Sequence, residues 1–123
     1  MRYNSFEDMI VWQKAMNLAV KIFRLTEKLP RKEDYGLTSQ IRRSALSIPG
    51  NIAEGFGRKH TKDKLNFYYD SRGSLAETKN HLIYGQRVGY FNQTTYEDLV
   101  LCKNESKNAF LLFLTSILAL ALT

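Results

Sequence analysis

The sequence predicts an all-α fold, an antiparallel up-down-up-down four-helix bundle in which residues 1–123 form a single domain. Three observations point there. Apolar residues recur at spacings of three and four along most of the chain, the period of a helix with one buried face. Only 2 Pro and 7 Gly punctuate 123 residues, so long elements run uninterrupted. The segments between periodic stretches are short and polar, which makes successive helices antiparallel neighbours. No alternating strand pattern survives over a useful length.

The first helix is expected from Glu7 to Leu29. Ser5, with Asp8 three residues on, resembles a capping box, and Val11, Ala15, Leu18, Ile22, Leu25 and Leu29 form one stripe. Pro30 stops it, and Arg31 to Tyr35 reads as a charged loop. The second helix carries Leu37, Ile41, Ala45, Ile48, Ile52 and Phe56. Pro49 sits in its middle and removes the donor that would meet the carbonyl of Ala45. The stripe nevertheless keeps its phase across Pro49, so one Pro-kinked helix is expected rather than a break. Gly55 and Gly57 mark its end.

Arg58 to Lys64 is a basic connection. Thr61 is the expected N-cap of the third helix, which runs to about Val88 and ends at Gly89 to Asn92. Thr94 to Glu97 reads as a capping box opening the fourth helix, whose inner side is Leu99, Cys102, Ser106, Phe110, Phe113, Ile117 and Leu120. The run Ala109 to Leu122 is almost wholly apolar, yet its 14 residues fall short of the ~20 that span a bilayer. No membrane role is expected of it. A helix apolar all round is buried all round, which points to a partner subunit.

In an antiparallel hairpin, residues equally far from the turn lie side by side. A turn centred near His60 sets Arg43 beside Glu77, the candidate structural ion pair; one near Glu33 sets Trp12 near Glu54. Such a pair more often sets register than adds stability.

The composition, 44% hydrophobic and 24% charged, excludes disordered and low-complexity classes. Cys102 is the single cysteine, so no intramolecular disulfide can form and a reducing compartment is expected. The opening MRYNSFEDMIVWQKAM lacks the apolar core of a secretory signal, and the expected localisation is cytoplasmic. Enzyme signatures fail one by one. Gly50 to Gly55 has phosphate-loop glycine spacing, but Phe56 and Gly57 stand where Lys and Ser/Thr are needed. Gly55-Phe56-Gly57 begins a dinucleotide fingerprint that His60 ends. Glu77 and His81 are four apart rather than the three of a di-iron pair, and two histidines with one cysteine are too few for a typical structural zinc. No catalytic residue, cofactor or metal is expected. Cys102 reads as a small core residue, and Tyr68-Tyr69, Tyr90-Phe91 and Tyr96 as core or interface aromatics before stacking platforms.

The formal net charge is +6, which suits a polyanionic partner. Lys14, Lys21, Arg24 and Lys28 are spread along the first helix as a solvated face. Arg58, Lys59, Lys62 and Lys64 concentrate with His60 at one end of the bundle, with Asp63 the only acid. The amides that open the third helix point at the same place and favour anions. These four side chains are the candidate RNA or DNA contacts.

Several runs resemble a known family. They are Trp12 to Ala15, Tyr35-Gly36-Leu37, Gln40 to Ala45, Ser47-Ile48-Pro49, Asn51 to Gly55, Gly57-Arg58 and Gly73 to Glu77. Together they resemble the intervening-sequence proteins of the large (23S) ribosomal RNA gene, over Phe6 to about Phe91. The resemblance implies a four-helix bundle whose second helix tolerates proline, no enzymatic activity, and self-assembly into a homo-oligomer, a pentamer. The accessory protein of diversity-generating retroelements is similar in fold. It implies as partners nucleic acid and a protein such as a reverse transcriptase. Gly50, in place of the usual Ala, and Arg72, in place of a small residue, depart from the pattern. Two functions follow: a non-enzymatic adaptor binding RNA or DNA through basic bundle ends, or an oligomeric protein–protein interaction module.

Overall fold

The computed structural model describes residues 3–122, with side chains up to Thr115 and at Ile117. The helices are α1 (Ile10–Thr26), α2 (Leu37–Gly57), α3 (Thr61–Arg87) and α4 (Gln93–Leu122), with no strand among the described residues. Each packs on its chain neighbour, and α1 also meets α4, closing the bundle. The cross-links show the directions. Ser71 donates to the Ile48 carbonyl at 2.6 Å and Thr78 to Ser44 Oγ at 2.9 Å, so α3 descends as α2 ascends. Lys14–Glu105 and Lys21–Asp98 relate α1 and α4 in the same antiparallel sense.

The stripes of α1 and α2 form the core as spaced. Val11, Ala15, Leu18 and Ile22 are buried against Ile41, Ala45, Ile48 and Ile52. From α3 come Leu75 and Leu82, and from α4 Leu99, Phe110 and Leu114. Leu120, placed on the same side by its spacing, lies outside the described side chains. The aromatics serve packing: Tyr68 meets Phe113 edge-on at 4.7 Å, and Phe6 meets Trp12 at 5.2 Å.

Helix α2 runs unbroken through Pro49, which is itself buried. An interior proline costs ~3 kcal/mol and leaves the Ala45 carbonyl without its intrahelical donor; the side-chain bonds around it fall on neighbouring carbonyls. Ser47 Oγ bonds the Arg43 carbonyl at 2.9 Å, Asn51 Nδ2 bonds the Ser47 carbonyl at 2.9 Å, and Ser71 reaches in from α3. Burial of Ile48 and Ile52 on either side adds roughly 1.5–3 kcal/mol each.

Four boundaries differ from expectation, the start of α3 among them, where His60 and not Thr61 is the N-cap. Ser5 does cap, accepting from the Glu7 amide at 3.2 Å, but what it caps is one 3-10 turn, Phe6–Asp8. Extended Met9 follows, so α1 starts at Ile10. Helix α1 ends at Thr26, before Pro30, and Arg31–Glu33 form another 3-10 turn. Helix α4 opens at Gln93 because Asn92 Oδ1 caps the Thr95 amide at 2.8 Å, and Glu97 accepts from Gln93 rather than closing a box with Thr94. At the end of α3, Gly89 takes φ +88°, and the amides of Tyr90 and Phe91 both return to the Gly85 carbonyl. Phe91 thereby packs on Gly85, where any Cβ would overlap its ring.

Candidate nucleic-acid interface

The turn between α2 and α3 holds the four basic residues singled out by sequence, and the structure sorts them. Lys64 turns back to the end of α2. Its Nζ donates to the carbonyls of Gly55 at 3.2 Å and Phe56 at 2.8 Å, and it lies 5.6 Å from the Phe56 ring. It thus adds a donor at two carbonyls of the last turn of α2, of which Gly55's also accepts from the Arg58 amide at 3.2 Å. Burial lowers the pKa of its ammonium. Arg58 lies 4.6 Å from the Phe67 ring and 3.9 Å from Glu54, with about half of its side chain exposed. Lys59 and Lys62 are exposed and have no ion-pair or hydrogen-bond partner among the described residues. His60 is the N-cap of α3 and makes no side-chain bond there. The first amides of α3 therefore open to solvent between two unpaired lysines.

Arg43 and Glu77 do not pair. Arg43 is exposed and donates to Gln40 at 3.0 Å, whereas Glu77 lies 3.8 Å from His81 Nε2 on its own helix, too far for a hydrogen bond. Their level was estimated correctly, because the next residues, Ser44 and Thr78, bond across the seam. The rotation of the helices puts those small hydroxyls inward and the charged neighbours outward. Glu54 takes Arg58, and Trp12 packs on Phe6.

Basic residues read as a solvated face also have partners. Lys21 meets Asp98 at 2.9 Å, which raises its pKa, and Lys14 meets Glu105 at 3.7 Å. Arg42 bonds Thr26 Oγ1 at 2.8 Å and the Phe23 carbonyl at 3.3 Å, capping α1, with its guanidinium 4.5 Å from the Phe23 ring. Cys102 is half-buried, and burial pushes its thiol up, away from the nucleophilic thiolate.

Lys103 on α4 escaped the sequence reading. Only 6% exposed, it falls four residues after Leu99 and three before Ser106, on the spacing of the buried stripe. The spacing was the signal; the charged side chain masked it.

A family model described as 23S rRNA-intervening sequence protein matches residues 7–110. The chain belongs to the 23S rRNA-intervening sequence protein family. The matched span covers α1, α2, α3 and α4 as far as Phe110, further than the motif resemblance reached. A crystal structure at 1.70 Å of a protein of unknown function from the S23 ribosomal protein family of Bacteroides thetaiotaomicron has a TM-score of 0.78 to this chain. It is 23% identical, and the match covers 86% of this chain and 99% of that one, which shows a shared fold. No curated protein matches. In this 23S rRNA-intervening sequence protein the two departures are absorbed at the surface. Gly50 is exposed with open space where a Cβ would stand, and exposed Arg72 lies 5.1 Å from the Tyr69 ring.

Proposed function

We propose that this 23S rRNA-intervening sequence protein is a non-enzymatic, self-assembling cytoplasmic adaptor that binds RNA or DNA at the α2–α3 end. The observation that carries it is the uncapped start of α3 between the exposed, unpaired Lys59 and Lys62, with Arg58 alongside. Solvent-facing amides and flexible cations suit phosphate contact without base readout. Lys64 belongs to the fold and stands outside this site. Each phosphate contact contributes about 0.9 to the slope of log affinity against log salt on duplex DNA, and about 0.7 on a single strand. The test is a salt series with single-stranded RNA and duplex DNA. Tight, sequence-indifferent binding near 50 mM salt that fades at high salt supports the reading, and no binding there defeats it.

Self-assembly is supported by an apolar patch on α1 and α2, where Phe23 is 51% and Leu46 60% exposed beside Val20 around a shared hollow. The same patch favours the second reading, an oligomeric protein–protein module, in which a protein such as a reverse transcriptase is the partner and the charge plays no part. A ring of subunits, a pentamer by family resemblance, would repeat the basic turn and add weak contacts through avidity.

A further inference from the structure

Four of the five charged side chains of α4 are divided between two seams, while Glu97 accepts from Gln93 on its own helix. Asp98 and Glu105 reach α1, where Lys21 and Lys14 meet them. Lys103 and Lys107 line a groove with α3, and across it stand Arg72 and Lys79. One seam is charge-matched; the other sets four cations around a single cavity of about 200 Å³ with no acid in its lining. Leu75, Ala76 and Phe110 complete the walls, which are chiefly apolar.

Lys103 is 6% exposed and has neither a carboxylate nor a hydrogen-bond acceptor among the described residues, so its stem is packed in the seam while its ammonium keeps contact with water at the groove. An ammonium held at the rim of an apolar seam is only partly solvated, and an anion brought beside it replaces water it has lost. Burial lowers the pKa of this ammonium, and the neighbouring Lys79 and Lys107 lower it further. Cations this close repel one another, and screening by water weakens that repulsion least at the buried one. A bound anion would reverse the sign of the interaction for all four.

We propose that the groove between α3 and α4 is a phosphate-binding site, with Lys103 at its floor and Arg72, Lys79 and Lys107 around its mouth. Four cations exceed what one carboxylate neutralises. A phosphate group brings more charge and several acceptor oxygens, matching three lysine point donors and an arginine fork. The apolar walls suit the carbon body attached to it. The cavity has room for roughly six water-sized groups of about 30 Å³ each, enough for a phosphate with a few carbons. The site is separate from the α2–α3 turn. It holds for a nucleic-acid strand and for a free phosphate ester alike.

The test uses the full chain, pyrophosphate followed through backbone amide resonances, and fluorescein-labelled single-stranded RNA. Pyrophosphate should saturate, move resonances of α3 and α4 around the groove, and lose about tenfold in affinity in Lys103→Met. Met keeps an unbranched chain and removes only the unpaired charge. A Lys79→Gln/Lys107→Gln double variant repeats the test from the surface should Lys103→Met fail to fold. If RNA affinity falls in parallel, the phosphate belongs to nucleic acid; if only pyrophosphate affinity falls, it belongs to a free ester. Both outcomes support the site. Lack of a saturable response in the wild type, or wild-type pyrophosphate binding in the folded variants, overturns it. RNA binding that then still depends on Lys59 and Lys62 leaves the basic-turn reading intact.

Discussion

One substitution, Gly→Ala, should have opposite effects at three positions of this bundle. Gly50 in α2 and Gly73 in α3 are exposed, and a Cβ at either meets nothing within 4 Å. Alanine there gains helix propensity, about 0.8–1.0 kcal/mol in a helix interior. Gly55 is buried, and its Cβ would lie 2.5 Å from Tyr68 Cε1, 3.0 Å from Cδ1 and 3.1 Å from Phe67 Cβ. The Tyr68 ring has little freedom to yield, being 2% exposed and held edge-on by Phe113. Overpacking of this kind costs about 1–3 kcal/mol, and the propensity gain offsets less than 1 kcal/mol of it because α2 ends two residues later. Gly55→Ala should therefore destabilise by about 1–2 kcal/mol while Gly50→Ala and Gly73→Ala stabilise. Urea unfolding followed by far-ultraviolet circular dichroism, at one fixed protein concentration, measures all three. A Gly55→Ala midpoint at or above wild type would refute the packing argument. A lower midpoint in both controls would refute the propensity argument.

Further outcomes follow from the charged and phenolic groups. Lys64→Met should lower stability by about 1 kcal/mol, since it strips two carbonyl bonds from the end of α2, while RNA affinity stays within about twofold. The Lys59→Glu/Lys62→Glu pair should do the reverse: unchanged urea midpoint, and a salt slope on single-stranded RNA shallower by about 1.4. Burial pushes the Tyr68 hydroxyl up to about 12. An acid raised on folding contributes fully below its unfolded value near 10 and loses that contribution as pH climbs toward 12. Stability should fall over that window by up to about 1.4 kcal/mol per pH unit, and Tyr68→Phe should flatten the fall in urea midpoints. Light scattering should give a mass well above the 14.3 kDa of one chain, and Phe23→Asp with Leu46→Asp should bring it down.

Local patterns in the chain were enough to read the helices and their core faces. The three-and-four spacings of Val11 to Ile22 and Ile41 to Ile52 place those side chains on one side of any helix, whatever lies opposite. Continuity across Pro49 was legible for the same reason: a phase retained on both sides has meaning only if the helix persists. The caps were harder. Ser5, Asn92 and Thr94 all have suitable side chains, and which one accepts a bond depends on backbone angles that sequence leaves open.

The bundle axis also limits what sequence arithmetic can do with charges. Hairpin counting found the level of Arg43 and Glu77, but a level is a distance along the axis, and pairing also needs the rotation about it. That rotation comes from packing small hydroxyls, Ser44 and Thr78, into the α2–α3 seam. Net charge and the existence of a basic turn belong to the sequence alone, because they need no geometry. The fate of each cation was decided by the assembled bundle: Lys64 and Arg42 at helix C-termini, Lys14 and Lys21 on acids of α4, Lys103 in an apolar seam facing other cations. A side chain's partner is whatever the neighbouring helix brings within a few ångströms, and helices far apart in sequence meet only when the core is packed.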